Sequence, residues 1–315
     1  MTTASTSRAP LAVNRPEQSG RRRPVRWADR LAGVAMTGPA VAVFIAMFVV
    51  PMILAFVLSL TDWNGYSLEF HFIGFENYRF AFRNPRTLDA ATYTAIIAVV
   101  GTVLCNGLGL TVAALISGAG RTNTVLRTIF FYPYIISSLI IGFLWSALLA
   151  PHGAVNTSLA AIGLGPVPFL TNPTFAKASV IGTIAWAHFG FNMVLYIAGI
   201  KSVPTEYYEA AAMDGASRWR QFRSITVPMI APVVTVNLVL TLVGLLKAYD
   251  VVLALTDGGP AGSTQTIVYQ ILKDSFAQSR LGLGAAQSVV LLLVTAAIGL
   301  AVTFARRGAD QKVAE

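Results

Sequence analysis

The chain has little sulfur, little charge and few groups that could do chemistry. Its one cysteine, Cys105, rules out an intrachain disulfide and a cysteine-rich metal site. The three histidines, His71, His152 and His188, stand far apart and show no zinc spacing. No Gly-x-x-x-x-Gly-Lys-[Ser/Thr] phosphate loop occurs, and none of the five lysines follows a glycine. An intramembrane enzyme would want a nucleophile–base pair or a ligand cluster, and His188 has no acidic or cysteine partner near it in sequence. No catalytic residue, cofactor or metal is therefore expected. Charged residues make up 12% of the chain, against about 25% in soluble domains.

What is abundant is oil. Hydrophobic residues are 55% of the total, gathered in runs long enough to cross a hydrocarbon core of about 30 Å as helix. An all-α membrane protein with six transmembrane helices is expected. The spans are drawn over 31–60, 90–117, 128–150, 175–200, 227–255 and 283–305. The first is too long for a signal-peptide core of about 7–15 residues. Residues 1–30, rich in Ser, Thr, Pro and Arg, form an expected disordered cytoplasmic tail. The span domain then covers 31–306, and a second cytoplasmic tail covers 307–315.

The net charge of +9 sits at span ends, which is the signature of membrane topology rather than of nucleic-acid binding. Seven Lys or Arg fall in residues 1–30, two between 121 and 127, four between 201 and 223, and three between 306 and 312. The opposite side holds six. The excess predicts that both termini and the 201–228 loop are cytoplasmic. The outer loops carry their own signals. The first, Thr61 to Asp89, is aromatic and mixed in charge; the last opens on Gly258-Gly259-Pro260 and continues as a half-buried helix.

One stretch, "EYYEAAAMDGASRWRQFRSITVPMIAP" from Glu206 to Pro232, interrupts the oil. Pro204, Glu206 and Glu209 suit a helix start, and Ala210, Ala211 and Ala212 are strong helix formers with little bulk. Gly215 can end the helix in the left-handed conformation, and Ser217 can cap the next. Trp219, Phe222 and Ile225 then fall on one helical face. The spacing resembles the cytoplasmic EAA loop of binding-protein-dependent ABC importer permeases: Glu-Ala-Ala, three residues, Gly, nine residues, Ile-x-Leu-Pro. Here it reads Glu209-Ala210-Ala211, Gly215, Ile225, Val227 and Pro228, with Val in place of Leu. "LSLTDWNGYSLEFHFIGFENYRFAF" and "YDVVLALTDGGPAGSTQTIVYQILKDSF" are similar to outer segments of carbohydrate-uptake permeases of the maltose/multiple-sugar type.

The resemblance implies cytoplasmic ATP-binding subunits, a second, non-identical permease, an extracellular or periplasmic solute-binding protein, and membrane lipid around the spans. It also implies that the loop docks on the ATPase. Glu209 would contact the ATPase or cap its own loop, Ala210 and Ala211 would form the docking face, and Asp214 and Gly215 would set the turn. Trp219, Phe222 and Ile225 would anchor the second helix to the permease, with Pro228 marking re-entry.

Polar groups inside spans are functional candidates. Lys247 and Asp250, three apart, can meet on one helical face. Ion pairing that lets both be buried is favoured over substrate contact. His188 and Asn192, with Trp145, Trp186 and Tyr249, could wall a translocation path, where aromatic faces would cover sugar C–H faces and amides would bond hydroxyls. Interfacial anchoring is the other reading for the tryptophans. A glycerol-phosphate ester or a polyamine is the alternative cargo. An ion-driven transporter would show repeated halves and more mid-depth carboxylates than the one seen, Asp250.

Overall fold

Two asparagine–proline pairs set the starts of the two longest buried helices. The computed structural model describes residues 27–67 and 69–314, with side chains over 35–67 and 69–304. The expected disordered tail lies, through residue 26, outside the described residues.

The chain divides into two units, Met1–Met52 and Ile53–Glu315. The first holds α1 (Trp27–Phe44), a π turn (Ile45–Val49) and the start of α2 (Val50–Leu58). Phe44 and Phe48 stack there at 5.4 Å.

In the second unit the loop that starts at Thr61 folds back on itself through a Thr61–Phe72 bridge. Asp62 accepts the His71 backbone N–H at 2.6 Å, and that bond lowers the Asp62 carboxyl from its ordinary value. The short helix α3 (Glu76–Arg83) leads to α4 (Pro85–Ile116). Asn84 caps α4 by accepting the Arg86 N–H, with Pro85 in the first turn. After α5 (Arg121–Ile135), α6 (Ser138–Leu149) and α7 (Ala154–Ala161), Asn172 and Pro173 start α8 (Pro173–Ser202) in the same way. These caps begin α4 and α8 ahead of the expected positions 90 and 175.

α4 and α8 pack along much of their length. Small residues permit it: a Cβ on Gly109 would stand 2.8 Å from Asn192 Cβ. Asn106 Oδ1 accepts the Tyr196 hydroxyl across the same seam at 2.6 Å. One apolar core gathers Ile97 of α4, Ile184 of α8 and Val252. A second, nearer the polar loop, gathers Ile116, Met193, Tyr196, Val203 and Ile230. Cys105 is buried in α4.

Arg127 of α5 secures the far end of α4. Its guanidinium donates to the carbonyls of Ile116, Ser117 and Gly118 at 2.6–3.1 Å, meeting acceptors that a helix end leaves open. Arg127→Ala should cost about 1–2 kcal/mol, lowering Tm in detergent by roughly 2–8 °C. Arg127→Lys should recover only part of this, because a point charge cannot fork across three carbonyls. An unchanged Tm in the alanine variant would remove Arg127 from the account.

Two expected spans are not single helices. The 128–150 run breaks at Ile136–Ser137, where the backbone is extended, three residues after Pro133. The 227–255 run is divided more deeply. After α9 (Thr205–Met213), α10 (Arg218–Gln221), a π turn (Phe222–Thr226) and α11 (Val227–Met229), the chain bends by 69° into α12 (Ala231–Leu245). Pro232 explains the bend, since its ring clashes with the carbonyl four residues back, that of Pro228. α12 stops at Leu245, Leu246–Tyr249 leave the helix, and α13 (Asp250–Thr256) begins afresh. α14 (Ile267–Leu272) and a π turn (Lys273–Ala277) form the half-buried helix expected after Gly258-Gly259-Pro260, and α15 (Leu281–Ala314) follows. Its backbone stays helical through most of the 307–315 segment assigned to a tail. Among the described residues, five helices are long and apolar enough to cross a membrane, or up to six if the bent pair is one span.

Candidate functional site

The loop between α8 and α12 has the local structure its residues call for. α9 ends in a Schellman pattern: the Ala216 N–H donates to the Ala211 carbonyl at 2.9 Å and the Gly215 N–H to the Ala212 carbonyl at 3.0 Å. Gly215 takes φ +74°, as that motif requires. Asp214 is the residue just before it, at the helix end. Ser217 then accepts the Arg220 N–H and starts α10. Most of α9 faces outward: Glu209, Ala210 and Ala212 are exposed, and Met213 is 87% exposed. Ala211 is half-buried. The Glu209 carboxylate makes no ion pair among the described residues, and no side chain caps the start of α9.

The hold of α9 on the rest of the molecule is narrow. Tyr208 packs on the second core, and its hydroxyl meets Thr226 Oγ1 at 2.9 Å. Thr226 is buried in the π turn that leads into α11 and α12. The expected anchor face is only partly right. Ile225 packs on the core, but Trp219 is 70% exposed and stacks on Phe222 instead. The π turn adds a residue per turn and rotates Ile225 off the Trp219 line. Pro228 lies half-buried in α11, before the bend.

A second constellation surrounds the break after α12. A cavity of about 150 Å³ is lined by Ser138, His188, Lys247, Tyr249 and Asp250, among others. A neighbouring cavity of about 300 Å³ is lined by Tyr134, Phe191, Asn192 and Thr241. His188, Gly244 and Leu245 belong to both. His188 Nδ1 faces the Ile184 carbonyl at 3.0 Å. A carbonyl only accepts, so Nδ1 carries a proton in this contact and Nε2 is the ring nitrogen left for another partner. Tyr134 stands edge-on to His188 and stacks on Phe191 at 4.8 Å.

Lys247 and Asp250 share this cavity but do not pair. The one ion pair among the described residues is His71–Asp62. The favoured pairing assumed a continuous helix, and the break removes the three-residue face it needed. The broken backbone is held from outside: Thr266 Oγ1 donates to the Ala248 carbonyl at 2.8 Å, and the Ile267 N–H donates to Thr94 of α4 at 2.8 Å. α12 is about 22 Å long, short of a hydrocarbon core of about 30 Å. Non-helical backbone at membrane depth is tolerated where it is buried in protein or lines a watered cavity.

Asn192 is 1% exposed and shares a hydrogen bond with Thr241. Its carbonyl accepts from Asn237, so it is a structural tie as well as a wall. Trp145 and Trp186 meet edge to face at 5.5 Å but line neither cavity. Sequence reasoning missed Tyr134, Ser138, Phe191, Asn237 and Thr241. The last two, four apart in an apolar run, carried a readable signal: two polar groups on one face.

The family described as "Binding-protein-dependent transport system inner membrane component" matches residues 105–315. The probable starch degradation products transport system permease protein AmyD of Thermoanaerobacterium thermosulfurigenes is 34% identical, over 83% of this chain and 89% of its own length. The diacetylchitobiose uptake system permease protein NgcF of Streptomyces coelicolor is also 34% identical, over 91% of this chain and 87% of its own. Among solved structures, a chain of a bacterial alginate ABC transporter in complex with an alginate pentasaccharide-bound periplasmic protein superposes with a TM-score of 0.80. That match is at 25% identity, over 91% of this chain and 99% of the other.

Proposed function

Because the chain belongs to the family of binding-protein-dependent transport system inner-membrane components, we propose that it is one transmembrane subunit of an ATP-driven importer for an oligosaccharide. The reading rests above all on the way α9 is built. It is a short rigid helix, presented outward and tied to the body through Tyr208 and Thr226 at the root of α12. At its other end α12 breaks beside the cavity. A movement of α9 would therefore reach the cavity wall through α11, the 69° bend and α12 in turn.

In this reading Glu209, Ala210 and Ala211 face a cytoplasmic ATP-binding subunit, and Asp214 and Gly215 hold the turn. ATP hydrolysis belongs to that separate chain. A second, non-identical permease completes the path, and a solute-binding protein delivers cargo to the outer loops. The two termini and the loop lie in the cytoplasm, in line with the excess of Lys and Arg there. His188, Asn192, Lys247, Tyr249 and Asp250 would line the route, offering acceptors, donors and an aromatic face to a polyhydroxyl cargo. Trp145 and Trp186 would act one layer behind. Oligosaccharide cargo is favoured by what AmyD, NgcF and the alginate transporter are described as carrying.

The test is the ATPase rate of the reconstituted assembly with its binding protein, read against malto-, chito- and uronate oligosaccharides, a glycerol-phosphate ester and a polyamine. At least one oligosaccharide should stimulate the rate several-fold, and the other two should not. Stimulation by the phosphate ester or the polyamine alone would overturn the cargo assignment. A carboxy-terminal fluorescent fusion that stays dark would overturn the orientation. Tyr249→Ala together with Lys247→Met should raise the half-saturating cargo concentration about tenfold, the loss of roughly 1.4 kcal/mol of contact. An unchanged value would remove the 150 Å³ cavity from the route.

A further inference from the structure

The loop that starts at Thr61 is tied down from two sides. Asn77 of α3 donates through Nδ2 to the carbonyls of Ser59 at 2.9 Å and Thr61 at 2.8 Å. The start of α15 closes on the same loop: the Gly282 N–H donates to the Trp63 carbonyl at 2.9 Å. A Cβ on Gly282 would overlap the Thr61 carbonyl oxygen, so only glycine allows this approach. The indole N–H of Trp63 donates to the Ser67 carbonyl at 2.8 Å, which holds the ring from within the loop. Between the loop, α3 and α15 these ties leave a cup of about 450 Å³. Small-molecule sites run to roughly 300–1,000 Å³.

The wall of the cup is of two kinds. Trp63 and Leu283 give it apolar surface, and Asp62, Glu76, Ser279 and Arg280 give it polar groups. Glu76 and Arg280 make no ion pair among the described residues. The Arg280 guanidinium lies over the Phe80 ring at 5.8 Å instead. Carboxylates accept hydrogen bonds, a guanidinium donates them and a hydroxyl does both. A ring in contact with such a set matches a molecule that alternates hydroxyls with C–H faces. Two carboxylates against one guanidinium leave the wall one negative charge, which disfavours an anion. The guanidinium in the same wall disfavours a metal ion.

The place of the cup in the bundle follows from helix sense. Ile97 of α4 shares one core with Ile184 of α8, and Ile116 of α4 shares the other with Ile197 of α8. The two helices therefore run the same way. The cup is at the head of α4, and α9 follows the foot of α8, so the two stand at opposite ends. In the importer reading that end is where cargo arrives.

We propose that this cup is a second saccharide site, one that takes the end of a neutral oligosaccharide before it enters the membrane-depth cavity. Trp63 covers a C–H face, Asp62 and Glu76 accept from hydroxyls, and Arg280 donates to them. The proposal rests on the importer reading, which brings oligosaccharide to this end of the chain.

The test is saturation-transfer NMR on the purified full chain in lipid nanodiscs, with maltotriose, triacetylchitotriose and a triuronate as probes. Irradiation of protein aromatic protons should pass saturation to the C–H protons of at least one neutral trisaccharide, and not to the triuronate. Glu76→Gln together with Arg280→Met removes two polar partners and should raise Kd about tenfold or more. Absence of transfer to both neutral trisaccharides would overturn the proposal. So would an unchanged Kd in the double variant, or a preference for the triuronate. Should the double variant not fold, Glu76→Gln alone serves: it must raise Kd about threefold or more, and an unchanged Kd overturns the site. Transfer without saccharide-stimulated ATPase in the assembly upholds the cup and counts against the importer reading; stimulated ATPase without transfer does the reverse.

Discussion

Gly215→Val should leave the chain in the membrane in normal amount and reduce uptake at least tenfold. The reason is confined to the backbone. Gly215 holds φ +74° with open space around it, since an added Cβ meets nothing within 4 Å. A side chain there clashes with no neighbour; it only resists the left-handed conformation, at a cost of about 1–2 kcal/mol, and more for a β-branched residue. The Schellman bonds from Ala216 and Gly215 back to Ala211 and Ala212 depend on that conformation. Losing them lets α9 fray and turns Ala210 and Ala211 out of register with a docking surface. Because the cause is conformational, the series should be graded: Gly215→Asn close to wild type, Gly215→Ala intermediate, Gly215→Val worst. Tm should move by less than about 8 °C throughout, because Gly215 itself is exposed and belongs to neither core, so the cost stays near that of the backbone strain. Uptake by the valine variant at the wild-type rate would dismiss the loop's role.

Gly190→Leu should fail differently, by unfolding the body. A Cβ on Gly190 would overlap the Phe130 carbonyl oxygen and stand 2.9 Å from its carbonyl carbon and 3.0 Å from Phe131 Cα. All three are backbone atoms of α5, so no side chain can swing aside. Lodging a leucine would push α5 off α8 and part Phe130 from Phe189, whose rings meet at 5.8 Å. Overpacking of this kind costs about 3 kcal/mol or more, which lowers Tm by roughly 6–12 °C for a chain of this size. Poor recovery of monodisperse protein would agree with this. A Tm within a degree of wild type would show that α5 and α8 do not meet at Gly190.

The loop was legible and the cavity largely was not, and the difference is one of range. Gly215, Ser217 and the alanines act on neighbours within six residues, so their spacing alone specifies a helix, a stop and a restart. The Asn84–Pro85 and Asn172–Pro173 starts are equally local, and these caps rather than the apolar runs set the beginnings of α4 and α8. The break at Leu246–Tyr249 is another matter. Nothing in "LLKAYDVV" forbids a helix; what holds it open is Thr266, eighteen residues on, bonding the Ala248 carbonyl. Lys247 and Asp250 are helical neighbours only while that bond is absent. Trp219 shows the same limit in miniature. A three-residue apolar face looks alike whether it turns inward or outward, and the π turn that separates Trp219 from Ile225 leaves no mark in the sequence.

The burial of Cys105 has a practical consequence. It is the chain's only thiol and is 0% exposed in the seam between α4 and its neighbours. A water-soluble maleimide has nothing to react with on the folded chain, so the natural sequence is already a dark background for labelling. A single cysteine placed at Lys247 would then be the sole reporter, and its rate of modification would follow the arrival of water at the broken turn as the cavity opens and closes.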